Sequence, residues 1–262
     1  MKGLQLISST HNPVVKSVAR LHQLRECEAR REFLLEGTHA LREALAARWK
    51  LRGMYCTQEW LDRNIQWMKG VSDEVAAHPV SPEVLRKMVT TQNPDGVVAV
   101  AAFAESDGRI PEFRLAIAVD ALQDPGNLGT LVRASVACGS DACFVGANSV
   151  ATYHPKVIRA SAGQWFRQPP LSQPLGPLLD ACKSRGVQVM AAAAGGEPIW
   201  DADLTRPTLI LLGNEGAGLD PQWLERADSI VGVPMSAKVE SLNVAVTGAM
   251  MLYEAMRQQK SR

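Results

Sequence analysis

The chain has almost no net charge. Across 262 residues, 28 Lys+Arg stand against 27 Asp+Glu, a formal net of +1, which excludes a polybasic protein held to nucleic acid by bulk charge alone. No apolar run approaches the roughly 18 residues that cross a bilayer. The opening Met1-Lys2-Gly3-Leu4-Gln5 leads into polar sequence rather than a signal-peptide core. A cytoplasmic protein with no membrane partner is expected. Cys-x-x-Cys pairs are missing: Cys27, Cys56, Cys138, Cys143 and Cys182 are scattered and odd in number, so buried thiols are a better reading than disulfides or a zinc site. His11, His22, His39, His78 and His154 show no metal-type spacing either, and no metal is expected. Gly-x-Gly-x-x-Gly and Gly-x-x-x-x-Gly-Lys-Ser/Thr are both absent, which disfavours a dinucleotide cofactor and a P-loop.

What is present describes a globular chain, 46% apolar and 21% charged, long enough for one large or two modest domains. Charge is unevenly placed. Residues 1–53 hold ten Lys+Arg against five Glu, a local +5, whereas residues 105–262 hold 14 basic and 16 acidic residues, a local −2. The asymmetry suits a surface for a polyanion, although on charge alone a solvated helix face with i,i+4 pairs is the better reading.

Both halves alternate strands and helices. The first reads as a helix over Val14 to Leu24, a strand at Phe33 to Glu36, a helix capped by Thr38 and running to Ala47, and a strand at Gly53 to Cys56. A short helix from Pro82 to Val89 and a strand from Val97 to Phe103 follow. Residues 105–112 are polar and turn-rich, the best linker in the chain, so domains are expected at 1–104 and 113–262. Beyond the linker come strands at Leu115 to Val119, Cys143 to Val145, Val187 to Ala192 and Thr208 to Leu212, and helices at Asn127 to Cys138, Leu175 to Ser184 and Asn243 to Gln258. Strands that are apolar throughout, alternating with helices, indicate an α/β fold whose parallel sheet is covered on both faces.

Such sheets place ligands at the carboxyl ends of their strands, and three of the loops there are unusual. In the first, Asp120 to Gly129, a Pro125-Gly126 turn precedes Asn127, placed to cap the next helix. On that helix Leu128, Leu131, Val132 and Val136 form an apolar stripe, from whose centre Arg133 projects roughly 130° away. In the second, Gly213-Asn214-Glu215-Gly216-Ala217-Gly218, three glycines let the backbone approach a ligand closely. Glu215 there would repel a phosphate, so an uncharged or cationic cofactor fits better. In the third, Val233-Pro234-Met235 is followed by Ser236, Lys238, Glu240, Ser241 and Asn243 crowding the start of the last helix. Ser241 alone reads as a cap. Small and apolar residues surround that helix on nearly every face, so it is expected to be buried, against a second subunit or otherwise.

In order and content the three loops resemble the motifs of the SpoU/TrmH branch of the SPOUT RNA methyltransferases. Asn127 and Arg133 match the first motif, Gly213, Glu215, Gly216 and Gly218 the second, and Pro234, Met235, Ser241, Leu242, Asn243 and Val244 the third. Asn214 stands where several family members carry a small or acidic residue, a departure expected to matter little. The first half resembles that family's accessory RNA-binding domain through Asn12-Pro13-x-Val15-Lys16, Phe33-Leu34-Leu35-Glu36-Gly37 and Pro94-Asp95-Gly96-Val97.

The resemblance implies a trefoil-knotted methyltransferase domain preceded by a smaller, ribosomal-protein-like α/β domain, in a homodimer. It implies methyl transfer from S-adenosylmethionine to a ribose 2′-hydroxyl of structured RNA, ribosomal rather than transfer RNA. A transfer RNA enzyme and a catalytically silent RNA-binding protein are the alternatives. Arg133, Asn127, Glu215, Ser241 and Asn243 are the implied catalytic residues. Ala192, Gly213, Asn214, Glu215, Gly216, Val233, Pro234, Met235, Ser241, Leu242 and Asn243 are the implied cofactor contacts. Lys16, Arg20, Arg30, Arg31 and His39 are the candidate RNA contacts. A guanidinium is a poor general base, so Arg133 is expected to clamp a phosphate and stabilise the developing alkoxide.

Overall fold

The computed structural model describes residues 5–69, 76–105 and 108–260; residues 106 and 107 of the expected linker, and the first four of the chain, lie outside the described residues. Two compact units form, Met1–Ser106 with Tyr153–Phe166, and Asp107–Thr152 with Arg167–Arg262.

The first unit runs α1 (Pro13–Arg20), α2 (Leu24–Arg30), β1 (Glu32–Glu36), α3 (Thr38–Ala46), β2 (Leu51–Cys56), α4 (Gln58–Met68), β3 (Ala77–Pro79), α5 (Pro82–Met88) and β4 (Val97–Ala102). Its sheet has the order β1-β4-β2-β3. The central β4, Val-Val-Ala-Val-Ala-Ala, is buried along its whole length and pairs antiparallel with β1 and β2. Asn12 and Ser81 cap α1 and α5, each followed by a proline at the first turn, and Val15 and Val18 of α1 join Val84, Leu85 and Met88 of α5 in one core.

The first unit departs from two local expectations. The helix expected over Val14 to Leu24 is two helices, because Leu21 turns into the core and its N–H bonds the Val18 carbonyl at 3.0 Å. No glycine or proline marks that break. Thr38 does not cap α3: Gly37, at φ 97°, is the cap residue, and the Asp95 carboxylate accepts from the Thr38 N–H at 2.8 Å. The Thr38 hydroxyl instead accepts from the Trp60 indole at 2.7 Å.

The second unit continues with β5 (Leu115–Val119), α6 (Pro125–Ala137) and β6 (Ala142–Val145). The helix α7 (Pro155–Ala160) follows, belonging to the first unit, and then β7 (Leu171–Ser172), α8 (Leu175–Arg185), β8 (Gln188–Pro198), β9 (Thr208–Leu212), α9 (Pro221–Leu224), β10 (Ser229–Gly232) and α10 (Val244–Lys260). All six strands of its sheet are parallel, in the order β10-β8-β9-β5-β6-β7. The strands β5 and β9 are buried at every residue, the pattern that two covered faces impose. The order reverses at β5, which has β6 on one side and β9 on the other, so the loops after β5, β9 and β10 gather beside a topological switch point. Gly248 lets α10 lie close to α6 and the sheet: a Cβ there would stand 2.5 Å from Leu131 Cδ2 and 2.7 Å from Leu212 Cδ1.

The segment carrying α7 is built into the core of the first unit. Phe33 has Tyr153 at 4.9 Å and Trp165 at 5.3 Å between ring centroids, with Trp49 and Phe103 on its other sides. Beside it the Glu36 carboxylate, whose side chain is 1% exposed, accepts from Arg159 at 2.7 Å and from the Thr90 and Thr91 N–H groups.

Candidate functional site

Each of the three loops is shaped by its own sequence and then tied to the others. After β5 the chain turns through Ala121 in the left-handed region, φ 50°, and Leu122 is fully buried. Asp124, not Asn127, caps α6: its Oδ1 accepts from the Gly126 N–H at 2.8 Å and Pro125 takes the first helical position. Two capping-type residues compete there, and the proline fixes which one wins. Asn127, in the first turn, keeps its side chain for other partners.

In the loop after β9, Gly213 packs so tightly on the returning arm of the loop that a Cβ would lie 2.1 Å from the Gly218 carbonyl carbon. Asn214 and Gly218 exchange backbone hydrogen bonds across the loop. The Asn214 side chain accepts from the Gly216 N–H at 2.8 Å and the Ala217 N–H at 3.1 Å, and donates to the Ala121 carbonyl at 2.8 Å. The departure expected to matter little therefore closes the second loop and pins it to the first.

Glu215 and Asn243 complete the connection. The Glu215 carboxylate accepts from Asn127 Nδ2 at 3.0 Å, the Asp124 N–H at 3.2 Å and the Gln123 N–H at 3.4 Å. Burial pushes this carboxyl up, but the bonds from Asn127 and from the surrounding backbone N–H groups outweigh it and hold the group below the ordinary glutamate value. Asn127 in turn accepts from Asn243 Nδ2 at 2.9 Å. The other end of Asn243 caps α10, its Oδ1 accepting from the Ala245 N–H at 2.9 Å. Ser241, expected as a cap, does not serve as one.

Around this tie lies a cavity of about 310 Å³. Ala192, Gly213, Asn214, Glu215, Gly216, Val233, Met235, Ser241 and Leu242 line it, as do Thr247 and Met251, which sequence reasoning missed. Their spacing held a signal, since 243, 247 and 251 repeat every fourth residue along one helix face. Pro234 and Asn243 are outside the lining, and so is Arg133. Arg133 is exposed on α6, and its side chain makes no hydrogen bond or ion pair with any described residue. Glu215 and Glu240 are the charged residues of the lining, which includes no Lys or Arg. Such a wall suits a cationic cofactor with an apolar heterocycle and repels a polyphosphate.

The candidate RNA contacts in the first unit fall into two groups. Lys16, Arg20 and His39 are exposed. Arg30 is engaged by Glu32 at 2.5 Å and by Ser17, while Arg31 ends α2 at φ 51°, donates to the Ala104 carbonyl at 3.1 Å and lies over the Phe103 ring.

The model of the SpoU rRNA methylase family matches residues 114–253, and that of the MRM3-like substrate-binding domain matches residues 12–99. An uncharacterized tRNA/rRNA methyltransferase of Synechocystis sp. is 39% identical over 257 residues, covering 97% of this chain and 94% of its own. The 23S rRNA (guanosine(2553)-2′-O)-methyltransferase RlmP of Bacillus subtilis is 30% identical, covering 95% and 98%. The SpoU methyltransferase AviRb from Streptomyces viridochromogenes, solved with AdoMet bound, superposes with a TM-score of 0.85 at 27% identity, covering 96% and 99%.

Proposed function

The chain belongs to the SpoU rRNA methylase family, and on that premise we propose that it methylates a ribose 2′-hydroxyl of large-subunit ribosomal RNA using S-adenosylmethionine. The observation that carries this reading is the cavity lined by no Lys or Arg and walled by two glutamates, one of which, Glu215, is tied to Asn127 and through it to Asn243. The full-length likeness to a 23S rRNA 2′-O-methyltransferase favours ribosomal over transfer RNA. The likeness to a bacterial rRNA-modifying enzyme supports a cytoplasmic location.

Ala192, Gly213, Val233, Met235, Leu242 and Met251 would hold the adenosine and methionine portions of the cofactor, with Glu215 and Glu240 offsetting its positive charge. When bound, the cofactor supplies an electrophilic methyl group. The chain's own task is to orient a poorly acidic hydroxyl for in-line attack. Arg133 clamps the neighbouring phosphate and stabilises the developing alkoxide. A guanidinium stays protonated at any working pH, so the proton leaves to a phosphate oxygen or to water. Asn127, locked between Glu215 and Asn243, keeps the three loops in register while this happens.

The working unit is a homodimer. Val246, Met250 and Tyr253 leave an apolar stripe exposed on α10, beside exposed Trp200, around a hollow that also takes in Thr130. A second copy covers that stripe. Arg133 follows Thr130 by three residues on the same side of α6, and in this reading it serves the partner's cavity. Calorimetry with S-adenosylmethionine, NAD and ATP tests the reading: binding of the first alone supports it, and preference for either nucleotide overturns it.

A further inference from the structure

Two helices of the first unit that lie far apart in sequence bring exposed cations together. Lys16 on α1 and Arg86 and Lys87 in the last turn of α5 border one open hollow, together with Thr10, His11 and Glu83. The two helices are fixed against each other by Val15, Val18, Val84, Leu85 and Met88, so the rim is rigid. Lys16, Arg86 and Lys87 are all exposed, and none of their side chains makes a hydrogen bond or ion pair with a described residue. Arg20, exposed one turn along α1 from Lys16, extends the same row. By contrast Arg30 is neutralised by Glu32, and Arg31 is spent on a carbonyl and a ring.

We propose that the α1–α5 hollow is the phosphate-gripping surface of the first unit, with Lys16, Arg86 and Lys87 contacting the RNA backbone and Arg30 and Arg31 taking no part. The inference rests on the ribosomal RNA reading above and deepens it by naming the surface. Three cations against the single carboxylate of Glu83 give the hollow a positive sign, and the mobile stems of lysine and arginine suit a backbone that carries charge at regular intervals. No Phe, Tyr or Trp lines the hollow, and His11 is its one ring, so phosphate contact outweighs base stacking there. Its contribution is capture, independent of base sequence.

The test uses the full-length protein and protein-free large-subunit ribosomal RNA, with affinity measured against salt concentration. In Lys16→Gln/Arg86→Gln/Lys87→Gln the slope of log affinity against log salt should fall by about two to three, with S-adenosylmethionine affinity unchanged. Arg30→Gln should leave the slope as it is. The single variant Glu83→Gln, which removes the opposing carboxylate, should tighten RNA binding. An unchanged slope in the triple variant, or no tightening in Glu83→Gln, overturns the assignment. So does a triple variant that loses polyglutamate binding while keeping RNA binding, which would mark the hollow as a site for an acidic protein. Failure of the wild-type protein to bind S-adenosylmethionine would instead defeat the functional reading, a result these RNA titrations do not mimic.

Discussion

Asn127 donates to the Glu215 carboxylate at 3.0 Å while its own amide oxygen accepts from Asn243 at 2.9 Å. One side chain thereby joins loops that leave three different strands of the sheet, and its two ends are not interchangeable. Asn127→Asp replaces the donor with a second carboxylate beside Glu215. That variant should lose S-adenosylmethionine affinity by about tenfold or more, since removing a charge-assisted hydrogen bond costs about 1.5–3 kcal/mol. Calorimetry against the wild type checks it; unchanged affinity would show that the tie does not shape the pocket.

The same bond has a pH signature. Glu215 is held below its ordinary value in the folded protein, so its contribution to stability is present above the unfolded value, about 4.3, and is lost as pH falls through the folded one. Thermal unfolding of wild type and Asn127→Ala should therefore differ most near neutrality and converge in acid. A gap that widens on acidification would contradict the assignment.

Gly213 and Gly248 predict opposite kinds of damage. A Cβ on Gly213 meets backbone, which cannot move aside, so Gly213→Ala should distort the loop and weaken cofactor binding. A Cβ on Gly248 meets the ends of Leu131 and Leu212, so Gly248→Val should destabilise the fold by about 1–3 kcal/mol through overpacking. Denaturant titration and calorimetry separate the two outcomes.

Tyr253 is 62% exposed on the apolar stripe of α10. Met250→Glu/Tyr253→Glu should sediment as a monomer and lose turnover while remaining folded. A fully active monomer would refute the claim that Arg133 serves the partner's cavity.

Trp165 packs on Phe33 and Trp49 within the first unit. Trp165→Ala should cost about 3–5 kcal/mol, with hydrogen exchange rising in β1 and β4. Protection lost in β5 and β9 instead would place the segment with the other unit.

The sheet and the motif loops were legible because fully apolar five-residue strands and crowded polar loops are local signals. The start of α6 was harder to read, since Asp124 and Asn127 are both capping types and only the position of Pro125 separates them. Nothing local marks the turn at Leu21 or the membership of residues 153–166 in the first unit; both depend on which distant side chains complete a core. The exposed side of α10 was hidden for a related reason. Val246, Met250 and Tyr253 read as buried by composition, and the single chain leaves them uncovered. Thr247 and Met251 were within reach, four and eight residues beyond Asn243 on the same helix face, although both lie past the end of the third motif.

Arg133 carries the catalytic claim, exposed and unengaged by any described residue. Incubating the protein with labelled S-adenosylmethionine and total RNA from a strain lacking it, then mapping resistance to alkaline cleavage, tests that claim most directly. The account predicts a protected ribose in large-subunit ribosomal RNA, with turnover reduced about 10²–10³-fold in Arg133→Lys and cofactor affinity retained. Label on a base, no protected ribose, or near-normal turnover in Arg133→Lys would contradict it.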